Sequence, residues 1–183
     1  MAQKKKSKKM RSAFSGILST GLFILAVLVI ALLMSKYVIE RVRVHNHSME
    51  HTLEPEDSVM IDKISYRFRD PKRFDIIVFK QKGSKEELIK RVIGLPFETV
   101  QIVDGKFLID GRELEDVKGL DAPEYAGIAS SPVELSAGEY FVVGDNRKES
   151  VDSRYEEVGI VTSTKITGRM FLRILPLKKI KIF

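Results

Sequence analysis

The chain has 183 residues, 31 of them basic and 25 acidic, giving a formal charge of +6, and it contains no cysteine. Six cations (Lys4, Lys5, Lys6, Lys8, Lys9 and Arg11) stand in residues 1–11 with no acid among them, so everything after Arg11 is formally neutral. These sums exclude a basic nucleic-acid-binding body, a disulfide scaffold, a thiol nucleophile and a cysteine-ligated zinc, and 44% hydrophobic residues exclude a mostly disordered chain.

From Ser12 to Ser35 no residue carries a formal charge, and the centre of this stretch reads GILSTGLFILAVLVIALLM. At about 1.5 Å per residue the stretch would extend roughly 36 Å as a helix, enough to cross a hydrocarbon layer of about 30 Å. A cleavable signal peptide has a shorter apolar part, about 7–15 residues, and a small-x-small exit. Here the exit is Met34-Ser35-Lys36-Tyr37. The expectation is therefore a basic cytoplasmic tail over 1–11 and a transmembrane anchor helix over 12–36. The positive-inside rule then puts residues 37–183 on the far side of the membrane, with Tyr37 at the outer interface.

After the anchor the helical period fades, and short β-branched runs take over. They are VRV (42–44), SVMID (58–62), DIIVF (75–79), ELIKRVI (87–93), TVQIV (99–103), KFLI (106–109), EYFVV (139–143) and ITGRMFLRIL (166–175). Their spacing predicts an all-β barrel or sandwich. Asp104-Gly105 suits the positive φ angles of a two-residue hairpin turn, and Asp110-Gly111 predicts a second one. Residues 113–138, with Pro123, Pro132 and weak patterning, read as a long connection or a small subdomain.

Three constellations offer chemistry. All the histidines fall in His45-Asn46-His47-Ser48-Met49-Glu50-His51. On a strand His45 and His47 would share a face, so a metal site completed by His51 is conceivable. A histidine base for Ser48 is disfavoured, because His47 would point to the opposite strand face. The bland reading is polar residues beside something that matters more. The second constellation is Lys90 in ELIKRVIGL, sharing a strand face with Leu88 and Val92 while Arg91 points the other way. An inward lysine would be driven towards its neutral form by desolvation, whereas an exposed edge-strand lysine is the ordinary alternative. The third is GDNRKESVDSRYEEVGIV (144–161), a turn-rich loop after a strand. Asp145, Asp152, Arg147 and Arg154 there could form charge-assisted pairs, and Ser150 and Ser153 could serve a buried site.

Taken in order, the anchor, SMEHTL (48–53), SVMIDK (58–63), KRVIGLP (90–96) and GDNRKESVDSR (144–154) resemble the type I signal peptidases, most closely the single-span Gram-positive kind. The resemblance spans nearly the whole chain. It implies a mainly β catalytic domain behind one transmembrane helix, and a Ser/Lys protease that removes signal peptides from exported preproteins. It implies no cofactor and no metal, and its partners would be preproteins and the lipid bilayer. Position by position, Ser48 corresponds to the nucleophile and Lys90 to the general base. Ser150 would hydrogen-bond the lysine amine, Asp152 and Arg154 would form the supporting ion pair, and Asp145 would help hold the loop. Val44, Met49, Leu53, Leu88 and Ile89 would wall two shallow pockets for small substrate residues, with the substrate added as a strand; simple core packing is their alternative. The pattern departs from the family at His51, where relatives carry proline, and at Phe97-Glu98, where they carry Gly-Asp. Asn46 stands where relatives often carry Ser or Gly, and its amide would take the place of a serine hydroxyl as a donor to the oxyanion. Two other readings compete. A self-cleaving repressor of the same dyad class would need a DNA-binding domain and a soluble chain. A tethered assembly factor that has lost catalysis is motivated by the changes at His51 and Phe97-Glu98.

Overall fold

The computed structural model describes residues 2–81, 83, 86–115 and 120–183, in two compact units that divide at Val38–Ile39. The first is one helix, α1 (Ala2–Tyr37). Within it Gly16–Met34 is long and apolar enough to cross a membrane. Leu22, Phe23, Leu28 and Leu32 are all exposed along that stretch. Such exposure suits a hydrocarbon solvent.

The second unit is β structure. Its larger sheet begins with β1 (Ile39–Arg43), β2 (Ser58–Asp62), β3 (Ile76–Lys80) and β4 (Glu87–Gly94). A smaller sheet follows in sequence as β5 (Thr99–Val103), β6 (Lys106–Ile109), β7 (Arg112–Glu113) and β8 (Val133–Glu134). The chain then returns to the larger sheet with β9 (Glu139–Val143), β10 (Val161–Thr162), β11 (Ile166–Leu175) and β12 (Lys181–Ile182). The larger sheet runs β1-β2-β11-β3-β4-β9-β10, with β12 also on β11; the smaller runs β7-β6-β5-β8. Every pairing is antiparallel.

Burial on both faces explains why the central strands read as continuous apolar runs. Along β3, Ile76 and Val78 enter one core with Val44, Met49, Leu53 and Ile89, while Ile77 and Phe79 enter another with Val92, Tyr140 and Val142. A third core, built on Ile93, Val100, Phe107 and Phe141, joins the two sheets. Segment 113–138 contains β8 and a short 3-10 turn at Gly127–Ser130, part of it lying outside the described residues.

Asp104 and Gly105 close the β5–β6 hairpin at φ 49° and 72°, and Asp110 and Gly111 close β6–β7 at 51° and 75°. Phe97 is a different matter. It holds φ 69° and is 80% exposed, so little packing repays a backbone conformation that costs an L-residue about 1–2 kcal/mol. Phe97→Gly should therefore stabilise the fold by about 1 kcal/mol, read as a higher urea midpoint with an unchanged slope.

Candidate active site

Residues 44–54 contain no strand; after β1 the chain enters a turn. Leu53 N–H and Thr52 N–H both donate to the Met49 carbonyl, at 2.7 and 3.0 Å, and Glu50 N–H donates to that of His47 at 3.0 Å. This corrects the reading of His45 and His47 as neighbours on a strand face. The turn scatters the histidines, and no cluster fit to hold a metal ion occurs among the described residues. His47 pairs outward with Glu50 at 2.5 Å, and that hydrogen bond and charge raise its pKa. His51 lies 3.8 Å from Asp121. His51 also holds φ 76°, an angle closed to proline, whose ring locks φ near −65°, so the departure from the proline expected there fits the turn.

The same turn delivers Ser48, 6% exposed, to Lys90, 1% exposed, and Lys90 Nζ donates to Ser48 Oγ at 2.6 Å. Burial pushes the Lys90 pKa down to about 8; Asp152 and Asp145 pull it back up and Arg154 pushes it further down, and neither influence outweighs desolvation. In β4, Lys90 stands opposite Ile77 of β3, in a sheet interior that gives the amine nothing but apolar walls and the site. Arg91 is not outward in the sense of exposed. It is 7% exposed, because β4 is covered on both faces.

Arg91 finds its partner in Asp145, donating from Nε at 2.7 Å and Nη2 at 2.5 Å. Asp145 thus binds the loop to β4. Arg147 lies over the Phe107 ring at 5.0 Å. Asp152 and Arg154, both fully buried, form a two-pronged pair at 2.8 and 2.9 Å. Asp152 also accepts the Gly144 N–H at 2.9 Å, and Arg154 donates to the Ser150 carbonyl at 3.2 Å. Ser153 exchanges hydrogen bonds with Val142, clamping the loop onto β9. Asn146 N–H donates to the Ser48 carbonyl at 3.1 Å. Gly144 is required where it is: a Cβ there would collide with the Ser150 hydroxyl and the Ser48 carbonyl.

Two expected contacts differ. The Ser150 hydroxyl is buried but has no hydrogen-bond partner among the described residues; the lysine amine is engaged with Ser48 instead. Asn46 presents its carboxamide oxygen, not its NH₂. Oδ1 accepts from Ser48 Oγ at 2.7 Å and from Ser48 N–H at 3.3 Å, because an N–H at the start of a turn attracts an acceptor. Sequence reasoning also missed Asn146 and Glu50, whose side chains meet at 3.2 Å; nothing local marks a contact 96 residues apart.

A groove of about 630 Å³ reaches Asn46, which accepts from Ser48, and is lined by residues 41–46 on one side and by Lys80 and residues 86–89 on the other. Val44, Leu88 and Ile89 are on its walls. Met49 and Leu53 are not: the turn tucks both, fully buried, into the core behind it. The groove runs between two open strand edges. Among the described residues β1 pairs only with β2, and β9 pairs with β4 only from Arg91 onward, leaving residues 87–90 unpaired on that side.

Comparisons with known proteins agree on one family. The description "Signal peptidase, peptidase S26" matches residues 17–175. A signal peptidase I of Leptolyngbya laminosa is 39% identical over 173 residues, covering 90% of this chain and 81% of that protein. A probable signal peptidase I-2 of Synechocystis is 35% identical over 169 residues, covering 89% and 75%. Signal peptidase I T of Bacillus subtilis is 30% identical over 171 residues, covering 90% and 88%.

Proposed function

The chain belongs to the signal peptidase family, peptidase S26, and we propose that Ser48 and Lys90 are the dyad with which it removes signal peptides from exported preproteins. The observation that carries this reading is the 2.6 Å contact between a buried hydroxyl and a buried amine whose pKa is lowered to about 8.

With that pKa roughly one Lys90 in ten is neutral at pH 7. The neutral amine takes the hydroxyl proton as Ser48 Oγ attacks the scissile carbonyl. The lysine passes that proton to the leaving amine as the C–N bond breaks, leaving an acyl-enzyme. A water, deprotonated by the same amine, releases the acid. The oxyanion takes the Ser48 N–H, displacing Asn46 Oδ1, and turning the Asn46 carboxamide over would offer it an N–H as well. Ser150 holds the amine once Ser48 is acylated, a role its unpartnered hydroxyl leaves open. Asp145, Asp152 and Arg154 position the loop that supports Ser48.

Substrate enters as a strand bridging the open edges of β1 and β4, with small side chains against Val44, Leu88 and Ile89. Met49 and Leu53 limit pocket depth from behind. Residues 12–36 cross the membrane with the lysine-rich end in the cytoplasm, so enzyme and substrate share one bilayer, which raises the effective concentration of the cleavage site.

The test uses the full chain in liposomes and a preprotein whose signal peptide ends in Ala-x-Ala. Wild type should cleave it and Ser48→Ala should not, with a loss of at least about 10⁴-fold. The sign of the pH dependence follows from the base: only neutral Lys90 works, so kcat/KM should rise with pH and reach half its plateau near pH 8. A half-point near 6.5 would instead indicate a histidine. Cleavage surviving Ser48→Ala would eliminate the dyad, and an inert wild type would leave the tethered assembly factor.

A further inference from the structure

Between Val44 and Asp57 the chain leaves the larger sheet and returns to it. Val44 N–H donates to the Asp57 carbonyl at 2.9 Å, and Glu56 N–H donates to the Val44 carbonyl at 2.8 Å. These bonds close the neck of the excursion, but Ser48 stands well inside it. Asn146 N–H holds the Ser48 carbonyl. At the other end of the same turn stands Thr52, whose N–H donates to the Met49 carbonyl at 3.0 Å. A shift of Thr52 is therefore passed to Met49, and so to Ser48 beside it. Thr52 itself is bracketed by two arginines: Arg91 Nη2 donates to its hydroxyl at 3.4 Å, and Arg173 Nη1 donates to its carbonyl at 3.0 Å.

Arg173 belongs to β11, 121 residues from Thr52 in sequence, and lies outside the motifs that carry the family resemblance. Its guanidinium is fixed from several directions. Nη1 also donates to Asp57 Oδ2 at 3.0 Å, and Nε donates to the Lys179 carbonyl at 2.7 Å. Asp57 Oδ2 in turn accepts the Glu54 N–H at 3.0 Å. The two side chains are 12 and 3% exposed, so water scarcely screens the pair, and a planar fork bonded at more than one nitrogen has little freedom to turn. Arg169 on the same strand offers a contrast. It also pairs with a carboxylate, Asp75, at 3.1 Å, but its other bond goes to the Phe183 carbonyl, away from the nucleophile.

We infer that Arg173, oriented by Asp57, is a positioning residue for the cleavage reaction: by holding the Thr52 carbonyl it sets where Ser48 Oγ stands relative to Lys90 Nζ. The inference rests on the Ser48–Lys90 reading and adds to it a part that neither reacts nor meets substrate. Proton transfer across the 2.6 Å contact tolerates little displacement, and a misplacement of about 1 Å costs roughly 100-fold in rate. The groove is lined by residues 41–46, 80 and 86–89, and Arg173 is not among them. Its loss should therefore slow the chemical step and leave substrate binding alone.

The experiment is single-turnover cleavage of a preprotein by the full chain in liposomes, with enzyme in saturating excess. That rate constant belongs to folded chains, so a loss of folded protein does not move it. Arg173→Met should lower it by about 10–100-fold, while the concentration of folded enzyme giving half-saturation stays at the wild-type value. Arg173→Met strands the Asp57 carboxylate and weakens the fold, so a second variant separates stability from placement. Combining Arg173→Met with Asp57→Asn leaves no buried charge. The urea midpoint should then recover while the rate constant stays low, because the Thr52 carbonyl still lacks its donor. Arg169→Met, the control on the same strand, should stay within about twofold of wild type. A wild-type constant in either Arg173 variant would overturn the inference, as would an equal fall in Arg169→Met. Those results require a wild type that cleaves, so they are distinct from a failure of the dyad, in which wild type is inert and this inference falls with it.

Discussion

Lys90→Met should abolish preprotein cleavage and leave the protein more stable than wild type. The two effects have one cause. At neutral pH most Lys90 side chains are charged inside an apolar wall, and a pKa lowered from 10.5 to about 8 corresponds to roughly 3 kcal/mol of destabilisation. The sign follows from proton counting. Between pH 8 and 10.5 the unfolded lysine is protonated and the folded one is not, so stability increases through that window and the whole penalty is present below pH 8. Methionine fills similar volume without a charge, and the lost bond to Ser48 leaves a hydroxyl that Asn46 Oδ1 still accepts from. The net gain should be about 1–3 kcal/mol at pH 7, read as a higher urea midpoint, and it should shrink as pH rises to 10.5. Activity should fall by at least about 10⁴-fold. A destabilised Lys90→Met would mean that the amine is better accommodated than its burial implies.

Asp152→Ala should have the largest structural effect of any single change near the site. It strands the Arg154 guanidinium at 0% exposure and deprives Gly144 N–H of its acceptor. Breaking a buried pair from one side costs about 3–5 kcal/mol, because the surviving charge has no solvent. The midpoint of unfolding measures this. The milder Asp152→Asn keeps an acceptor and gives a second readout. Asp152 holds the Lys90 pKa up, so removing its charge should move the half-point of kcat/KM below pH 8. A purely structural role would lower the plateau without moving that half-point.

Much of this was legible in the primary sequence, and for identifiable reasons. The long apolar helix near the N-terminus is a matter of length and composition alone. SVMID, TVQIV, KFLI, EYFVV and ITGRMFLRIL begin and end where β2, β5, β6, β9 and β11 do, since β-branched runs between turn residues leave few alternatives. The Asp-Gly pairs announce their hairpins through the φ angles they tolerate. The two-residue strands β7, β8, β10 and β12 carry too few residues to show a period, and exist only because a neighbour offers an edge.

The site divides along the same line. Which residues the fold brings together could be read from the motifs: Ser48, Lys90, Asp145, Ser150, Asp152 and Arg154 all lie in or beside one buried cluster. What each touches could not. Arg91 is buried because β4 has a covered face on both sides. Asp145 turns to Arg91, 54 residues away, and Asn46 offers its oxygen rather than its nitrogen. The chemical types and the local backbone preferences are properties of the chain, because propensity, hydrophobic patterning and turn angles act over a few residues. The lowered pKa, the choice of ion-pair partner and the open edges of the groove depend on desolvation and on contacts between distant segments, and those come into being only when the sheet closes around Lys90.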